Sequence, residues 1–382
     1  MSAFLSAITD LARAGFRSAR PAAALAAVLL LSGGAQAADI TKLPTGQLYD
    51  AAGWDGGVLP TTADVGVFDS STVPTAAGNT FSGSNYYIGG YRVTDIAGPL
   101  TINGSTTYIY NGGTVDLSNA SADMSFLGTL RSNGPSTGAN YTLTVAPGRT
   151  LTVNSLTYSR NAYTIPINGG GTILVTTETN GGGTNRVAYD VTDAGTTIGG
   201  SGIWRPSNTN GGYGVRMNSG TVVAPGNAGV GTTTFDGSQS GQAILTMASG
   251  STFSFELGTG GSFASPSGDS DRLDFTAMAA GDVVFNSTTI DFLGTGSTGV
   301  FKLFDTDLDA STWTGLTMSG QEITAGLGYS NLGGGLTGTL VMGDGTTGDA
   351  GDIYLQVVPE PSLLAAVAAA AGSVAVMFRR LR

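Results

Sequence analysis

Five times along this chain a small residue, a spacer and a threonine lead into alternating apolar positions. The five are Gly112–Leu117 (GGTVDL), Gly148–Val153 (GRTLTV), Gly170–Val175 (GGTILV), Ser219–Ala224 (SGTVVA) and Gly250–Phe255 (GSTFSF). Each reads as a turn followed by residues that point alternately to two faces, the period-two pattern of a half-buried strand. The threonines fall at 114, 150, 172, 221 and 252, at intervals of 36, 22, 49 and 31. An interval of 22, and one of 49 taken as two of about 24, suit coils of a β-helix; the other two do not. A parallel β-helix accepts such unevenness, because its turns bulge while its strands stay stacked. The expected fold is therefore all-β, a right-handed parallel β-helix or solenoid, with a β-sandwich throughout as the alternative.

Composition agrees. Six of the chain's 16 basic residues and two of its 27 acidic ones lie in the terminal segments, which leaves Ala38–Val358 with 10 against 25 and a net charge of −15. Of those 25 acids 22 are aspartates, which favour turns over helix interiors. Sixty-one glycines in the whole chain complete a turn-rich β composition, and no long stretch has helical periodicity. From Gln242 to Leu293 the strands lengthen, and Phe253, Phe255, Phe275, Phe285, Phe292, Phe301 and Phe304 cluster there and just beyond. The body is accordingly divided into a repeat region at 38–240 and a second β region at 241–358, the latter either the solenoid's closing half or β-sandwich-like.

The same composition excludes much chemistry. With no cysteine there is no disulfide framework and no thiolate metal site. With no histidine, the Ser-His-Asp arrangement, histidine-ligated metals and the usual near-neutral acid–base group are all missing. Carboxylate-pair glycosidase chemistry stays open in principle. Yet Glu178, Glu256 and Glu322 are the body's only glutamates, and no aspartate pair is marked out by spacing. The ten scattered basic residues show no cluster that would neutralise a uronate for lyase chemistry. The chain is expected not to be an enzyme, and a surface this acidic is not expected to bind nucleic acid.

No cofactor is expected, with calcium the minority alternative. Asp305, Asp307 and Asp309 form D-x-D-x-D, the opening of an EF-hand-like loop, but Ala310 and Leu316 stand where glycine and glutamate are needed. Asp269, Asp271 and Asp274, and Asp344, Asp349 and Asp352, form two further acidic groups, more simply read as solvated turn residues. Tyr86, Tyr87, Tyr91, Tyr108 and Tyr110 could line a sugar-stacking strip, although cross-strand pairing is the commoner use of such residues.

The ends of the chain carry the clearest motifs. Met1–Arg20 is basic, Pro21–Leu31 is an apolar core, and Ala35-Gln36-Ala37 fits a small-x-small cleavage pattern. Residues 1–37 thus read as a secretory signal peptide, with the Sec export machinery as partner and Ala38 as the mature N-terminus. At 359–382, Pro359-Glu360-Pro361 is followed by the uncharged run Ser362–Phe378 and by Arg379, Arg380 and Arg382. The prolines force an extended chain, the run is long enough for a short membrane helix, and the arginines would stay on the cytoplasmic side.

This order of three parts resembles the PEP-CTERM sorting signal of Gram-negative bacteria. The resemblance implies recognition by exosortase, transient anchoring in the inner membrane, removal of the tail and delivery to the cell surface or outside. Two stretches of the body resemble autotransporter-type β-strand repeats. In Gly53–Asp69 (GWDGGVLPTTADVGVFD) a tryptophan opens the first coil as a cap, and Ser219–Gly237 (SGTVVAPGNAGVGTTTFDG) carries an Ala-Pro-Gly-Asn turn. The function expected is that of an exported structural or adhesive protein at the cell surface or in an extracellular polysaccharide matrix. The alternative is a secreted carbohydrate-active enzyme, a glycosidase or polysaccharide lyase, on the same scaffold.

Overall fold

A computed structural model of the chain describes Ala38–Glu360, apart from residues 105, 111, 134–140, 159–162, 181–186, 207–213, 227–228, 239–242, 267–268, 280, 294–296, 307, 309–312, 314, 319–320, 323–328 and 334. The protein is all-β, with 56% of its residues in strands and 3% in helix, and its stacked parallel strands form a β-solenoid of about 9 turns.

Each full turn contributes to three faces. The first face is a ten-stranded sheet that starts at Asp39–Thr41 and Val65–Phe68 and ends at Leu245–Met247 and Val283–Phe285, every strand parallel to the next. The second face begins at Asn79–Ser82 and Leu100–Asn103, and the third at Tyr86–Ile88 and Thr106–Tyr110. Met124–Asn133, Thr150–Tyr158 and Thr172–Asn180 serve both of these faces, with a register shift at the corner between Val153 and Ser155. In later turns the corner breaks the strand in two. Thr197–Gly200 is followed by Ile203–Arg205, Val222–Pro225 by Thr232–Asp236, and Thr252–Glu256 by Arg272–Thr276. The corner differs in length from turn to turn while the ladders on either side keep their register, so the repeat is uneven in length.

The threonine motif marks the start of a strand but not which face it joins. Thr150, Thr172, Thr197, Val222, Thr252, Thr289 and Thr317 stand in register on seven successive turns of the second face. Thr197 lies between Thr172 and Thr221, which accounts for the doubled interval. Thr221 itself is buried and donates to the Asn218 carbonyl at 2.6 Å, so Val222 takes the place in the column. Thr114 belongs to the first face, opposite Thr142, and so its spacing to Thr150 has no meaning as a repeat.

Inside, buried residues stack in columns along the axis. One runs through Tyr91, Val115, Leu143, Ile167, Val191, Met217, Met247 and Phe285, each opposite the next. Towards the C-terminal end the core becomes aromatic: Phe235 and Phe275 stack at 5.8 Å, Phe275 and Phe304 at 6.0 Å, and Trp313 stacks on Phe285 at 5.8 Å. Such columns gain from hydrophobic burial and from ring geometry together.

Both ends of the stack are closed. At the N-terminal end Trp54 is fully buried, and its indole N–H donates to the Leu48 carbonyl at 2.9 Å. Lys42, also buried, points back into the same turn and donates to the carbonyls of Leu43, Thr45 and Gly46 at 2.9, 2.7 and 3.1 Å. Its ammonium lies 4.3 Å from the Phe81 ring centroid. Burial pushes its pKa down to about 8. At the other end the pairing changes sense. Ile353–Pro359 pairs antiparallel with Gly299–Asp305 on one side and Leu336–Met342 on the other, and Leu336–Met342 pairs in turn with Tyr329–Gly333. Parallel pairing on the third face runs past residue 240 as far as Arg272–Thr276 and Gly299–Asp305, and the longest antiparallel ladders lie in this closing sheet. A solenoid needs such closure because a bare last rung exposes both an apolar core and unpaired backbone groups.

Candidate functional site

The last described residues belong to the closing sheet. Pro359 sits opposite Leu336 as the last residue of its strand and is exposed. The backbone N–H of Glu360 donates to the Gly335 carbonyl at 2.7 Å. A proline is tolerated there because only one side of a strand end needs its N–H. Pro359 and Glu360 thus stand at the end of the last described ladder. Pro361, the run Ser362–Phe378 and Arg379, Arg380 and Arg382 lie outside the described residues, as do Ala35 and Ala37. Ala38 is described and exposed, one residue before the first strand begins at Asp39. No helix among the described residues is long and apolar enough to cross a membrane.

At the other end of the same strand, before Ile353, lies a charged cluster centred on Lys302. Its ammonium lies 2.6 Å from Asp352, 3.0 Å from Asp349 and 3.4 Å from Asp305. The Asp352 side chain is only 2% exposed, and it also accepts from the Thr306 backbone N–H at 2.8 Å and from the Tyr354 hydroxyl at 3.0 Å. Burial alone would lower the pKa of Lys302, but the bonds to Asp352 and Asp349 and the charges of Asp352 and Asp305 outweigh it and raise it. Asp305 is held in addition by Arg272 at 3.4 Å. It stands in register with Asp274, whose pKa is raised by burial and by the charge of Asp305.

These contacts redistribute the aspartates that sequence groups together. Asp305 is engaged by two cations, while Asp307 and Asp309 lie outside the described residues. Asp344 accepts from the N–H groups of Thr346 and Thr347, as a turn residue does, whereas Asp349 and Asp352 converge on Lys302. Asp269, Asp271 and Asp274 also separate. Asp269 accepts from the Thr259 N–H at 3.1 Å, and Asp274 faces outward on the third face. Asp271 is buried and bridges two turns, accepting from the Gly231 N–H at 2.8 Å and the Glu256 N–H at 2.7 Å. Among the described residues no group of three or more acidic side chains is arranged to hold a metal ion.

Comparison with known protein families, with curated proteins and with solved structures finds no match for this chain.

Elsewhere the basic residues act as staples between turns. Arg205 bonds Glu178 at 3.0 Å in the turn before it and Asp236 at 2.7 Å in the turn after it. Burial would raise Asp236, but bonds from Ser238 and from Arg205 reverse this and lower it. Arg92 pairs with Asp39 and approaches Asp116 to 3.9 Å, and Arg216 holds Asp190 through two bonds. Half-exposed pairs of this kind contribute about 0–1 kcal/mol each. Their regular use across adjacent rungs still fixes register.

The early tyrosines divide between the two sides of the sheet. Tyr86 and Tyr91 are buried, and the Tyr86 hydroxyl donates to the Pro60 carbonyl. Tyr87 and Tyr108 face outward and stack on each other at 4.4 Å with planes 9° apart, and the Arg131 guanidinium lies 5.7 Å above Tyr108. Stacking in this way covers one face of each ring. The arrangement is cross-strand pairing, with a cation closing one end.

Asp271 supplies a pH test. Burial raises its pKa to about 7, against the opposing bonds from the Glu256 and Gly231 N–H groups. The folded state therefore binds more protons than the unfolded chain between about pH 4 and 7, so this contribution to stability is full below pH 4 and is lost as pH rises through 7. Asp271→Asn removes the titration. Its cost, read as the shift in urea midpoint relative to wild type, is expected to be larger at pH 5 than at pH 8. A cost that grows with pH would mean that Asp271 stays ionised throughout.

Proposed function

We propose that this chain is an exported structural or adhesive solenoid, sorted and processed through its C-terminal Pro-Glu-Pro motif by exosortase and delivered to the cell surface or an extracellular matrix. The observation that carries this reading is the place of Pro359 and Glu360 at the end of the closing sheet. Pro359 is exposed at the end of the last cap strand, and Glu360 follows it with one backbone bond to Gly335. A processing enzyme that reads a short extended motif would find it directly at the boundary of a closed body. The two caps and the inter-turn staples add support, since they suit a rod that must persist outside the cell without disulfides.

The test is Glu360→Ala in the native host. The substitution removes the only charge of the triplet and leaves Ser362–Phe378 untouched. The variant is expected to insert normally, keep its tail and accumulate in the inner membrane. Equal mass and equal fractionation of wild type and variant would refute processing at this motif.

The second reading, a carbohydrate-active enzyme, would rest on Asp274 and Asp305. They stand in register on an outward face, and burial together with the charge of Asp305 raises Asp274, as in an acid–base pair. The engagement of Asp305 by both Arg272 and Lys302 favours the structural role.

A further inference from the structure

Val358, Pro359 and Glu360 are held differently from the residues before them. The ladder to Leu336–Met342 runs from Ile353 opposite Met342 to Pro359 opposite Leu336, and Glu360 adds its bond to the Gly335 carbonyl at 2.7 Å. The ladder to Gly299–Asp305 ends earlier, at Val357 opposite Gly299. It ends because the chain before Gly299 is drawn aside. The Ser297 hydroxyl accepts from the Gly260 N–H at 2.7 Å and donates to the Gly258 carbonyl at 3.3 Å. Gly299 itself has a φ of +140° and lies so close to Gly260 that a Cβ would meet its Cα at 2.6 Å. Burial stops at the same residue: Val357 is 2% exposed, whereas Val358 is 41% exposed and Pro359 is exposed too. Among the described residues, 358–360 are thus paired on one side only and anchored by no buried side chain.

We propose that this stretch is a latch on processing: residues 358–360 must peel away from 335–337 before the Pro-Glu-Pro motif can be cut. The inference rests on the reading that the motif is processed, and adds what regulates it. Two arguments lead to it. An enzyme that binds an extended segment engages the backbone groups along it, and here some of those groups are already taken. Antiparallel pairs alternate between bonded and non-bonded; with Glu360 bonded opposite Gly335, the next bonded pair is Val358 with Thr337. Reach is the other argument. Only Pro361 separates Glu360 from the uncharged run that begins at Ser362. With that run in the membrane, a closed latch leaves one free residue, about 3.5 Å of chain, between the folded body and the membrane. Opening it frees three more residues, about 10 Å of extended chain. Val357 marks where opening stops, because its side chain is buried and it has ladder partners on both sides.

The test is made in the native host with Thr337→Cys/Val358→Cys. The chain has no other cysteine, and the two positions stand opposite each other. A bonded antiparallel pair sets its Cα atoms about 5.5 Å apart, within disulfide range. Disulfides form on the exported side of the membrane, and intact mass with and without reductant reports closure. With the bond closed, loss of the tail in a pulse–chase is expected to slow by at least ~10-fold, because local opening is blocked. Each single cysteine variant should match wild type. Gly335→Val acts in the opposite direction. Gly335 has a φ of +74° and nothing within 4 Å of a Cβ, so a branched residue strains the turn without a clash and leaves the motif's own strand untouched. The tail should then be lost at least ~5-fold faster. Hydrogen exchange of the purified full-length chain in mild detergent should quicken at Val358 and Glu360 but not at 353–357. Tail loss at the wild-type rate with the bond closed, or equal slowing by Val358→Cys alone, would overturn the latch and leave processing in place. A wild type that keeps its tail would overturn both readings. If the cysteines do not pair, Gly335→Val decides: faster loss supports the latch and an unchanged rate overturns it.

Discussion

Replacing Trp54 with alanine is expected to cost about 3–5 kcal/mol, the range for removing a buried tryptophan or phenylalanine side chain. Three losses combine. The indole is fully buried and packs edge-on to Phe68 at 6.1 Å. Its N–H satisfies the Leu48 carbonyl, which holds the turn over the first rung. It also covers Gly66, where an added Cβ would lie 2.9 Å from the indole, so the ring fills the space that the missing side chain leaves. Stability in a solenoid passes from rung to rung, so the damage should not spread evenly. Hydrogen exchange on the variant should show lost protection in Asp39–Thr94, with Thr114–Thr276 protected nearly as in wild type. Lost protection along the whole length would mean that the solenoid unfolds as one unit and that Trp54 serves all of it.

The cap at Trp54 was legible because a lone tryptophan before a Gly-Gly turn has few other uses at the start of a repeat. Its partner Lys42 was not. Sequence presents it as one of two lysines in an acidic body, with nothing to say that its ammonium turns inward onto three carbonyls. The strand-and-turn grammar was equally plain, since Thr-apolar-x-apolar after a glycine encodes local conformation. Register was less so. Thr114 and Thr150 carry the same local pattern on different faces, because the side-chain period of two fixes which residues point inward but not which sheet a strand joins. Ser287–Phe292 fits the pattern as well as the five that stood out. Thr197 escapes it because Gly199 and Gly200 occupy the places where the pattern asks for a side chain.

Charge grouping misleads for a related reason. Aspartates close in sequence look like a site, yet a turn sends successive residues to different rungs. Asp269, Asp271 and Asp274 end up as a turn cap, a buried bridge and an outward ladder residue. The cluster that does form draws on Lys302, Asp305, Asp349 and Asp352, spread over the last full turn and the closing sheet. No spacing rule would collect these four.

That cluster yields the second large effect. Lys302→Met should destabilise the protein by about 3–5 kcal/mol at neutral pH, the usual cost of stranding one member of a buried ion pair. The arm to Asp352 carries most of it. Both side chains are buried there, at 12% and 2% exposure, whereas Asp349 is 81% exposed and contributes little. Methionine keeps the length and apolar stem of lysine, so its place beside Tyr354 is largely preserved and the loss reports charge. One control separates charge from shape. Lys302→Met/Asp352→Asn should recover much of the stability, because it leaves no buried charge unpaired. Urea midpoints of the single and double variants at pH 7 decide the matter. The loop 343–352 is tied down by this contact, so the single variant should also loosen that loop. Faster proteolysis within 343–352 in Lys302→Met, reversed in the double variant, would show that the ion pair holds it. An unchanged midpoint at pH 7 would show that Asp352 is satisfied by Thr306 and Tyr354 alone.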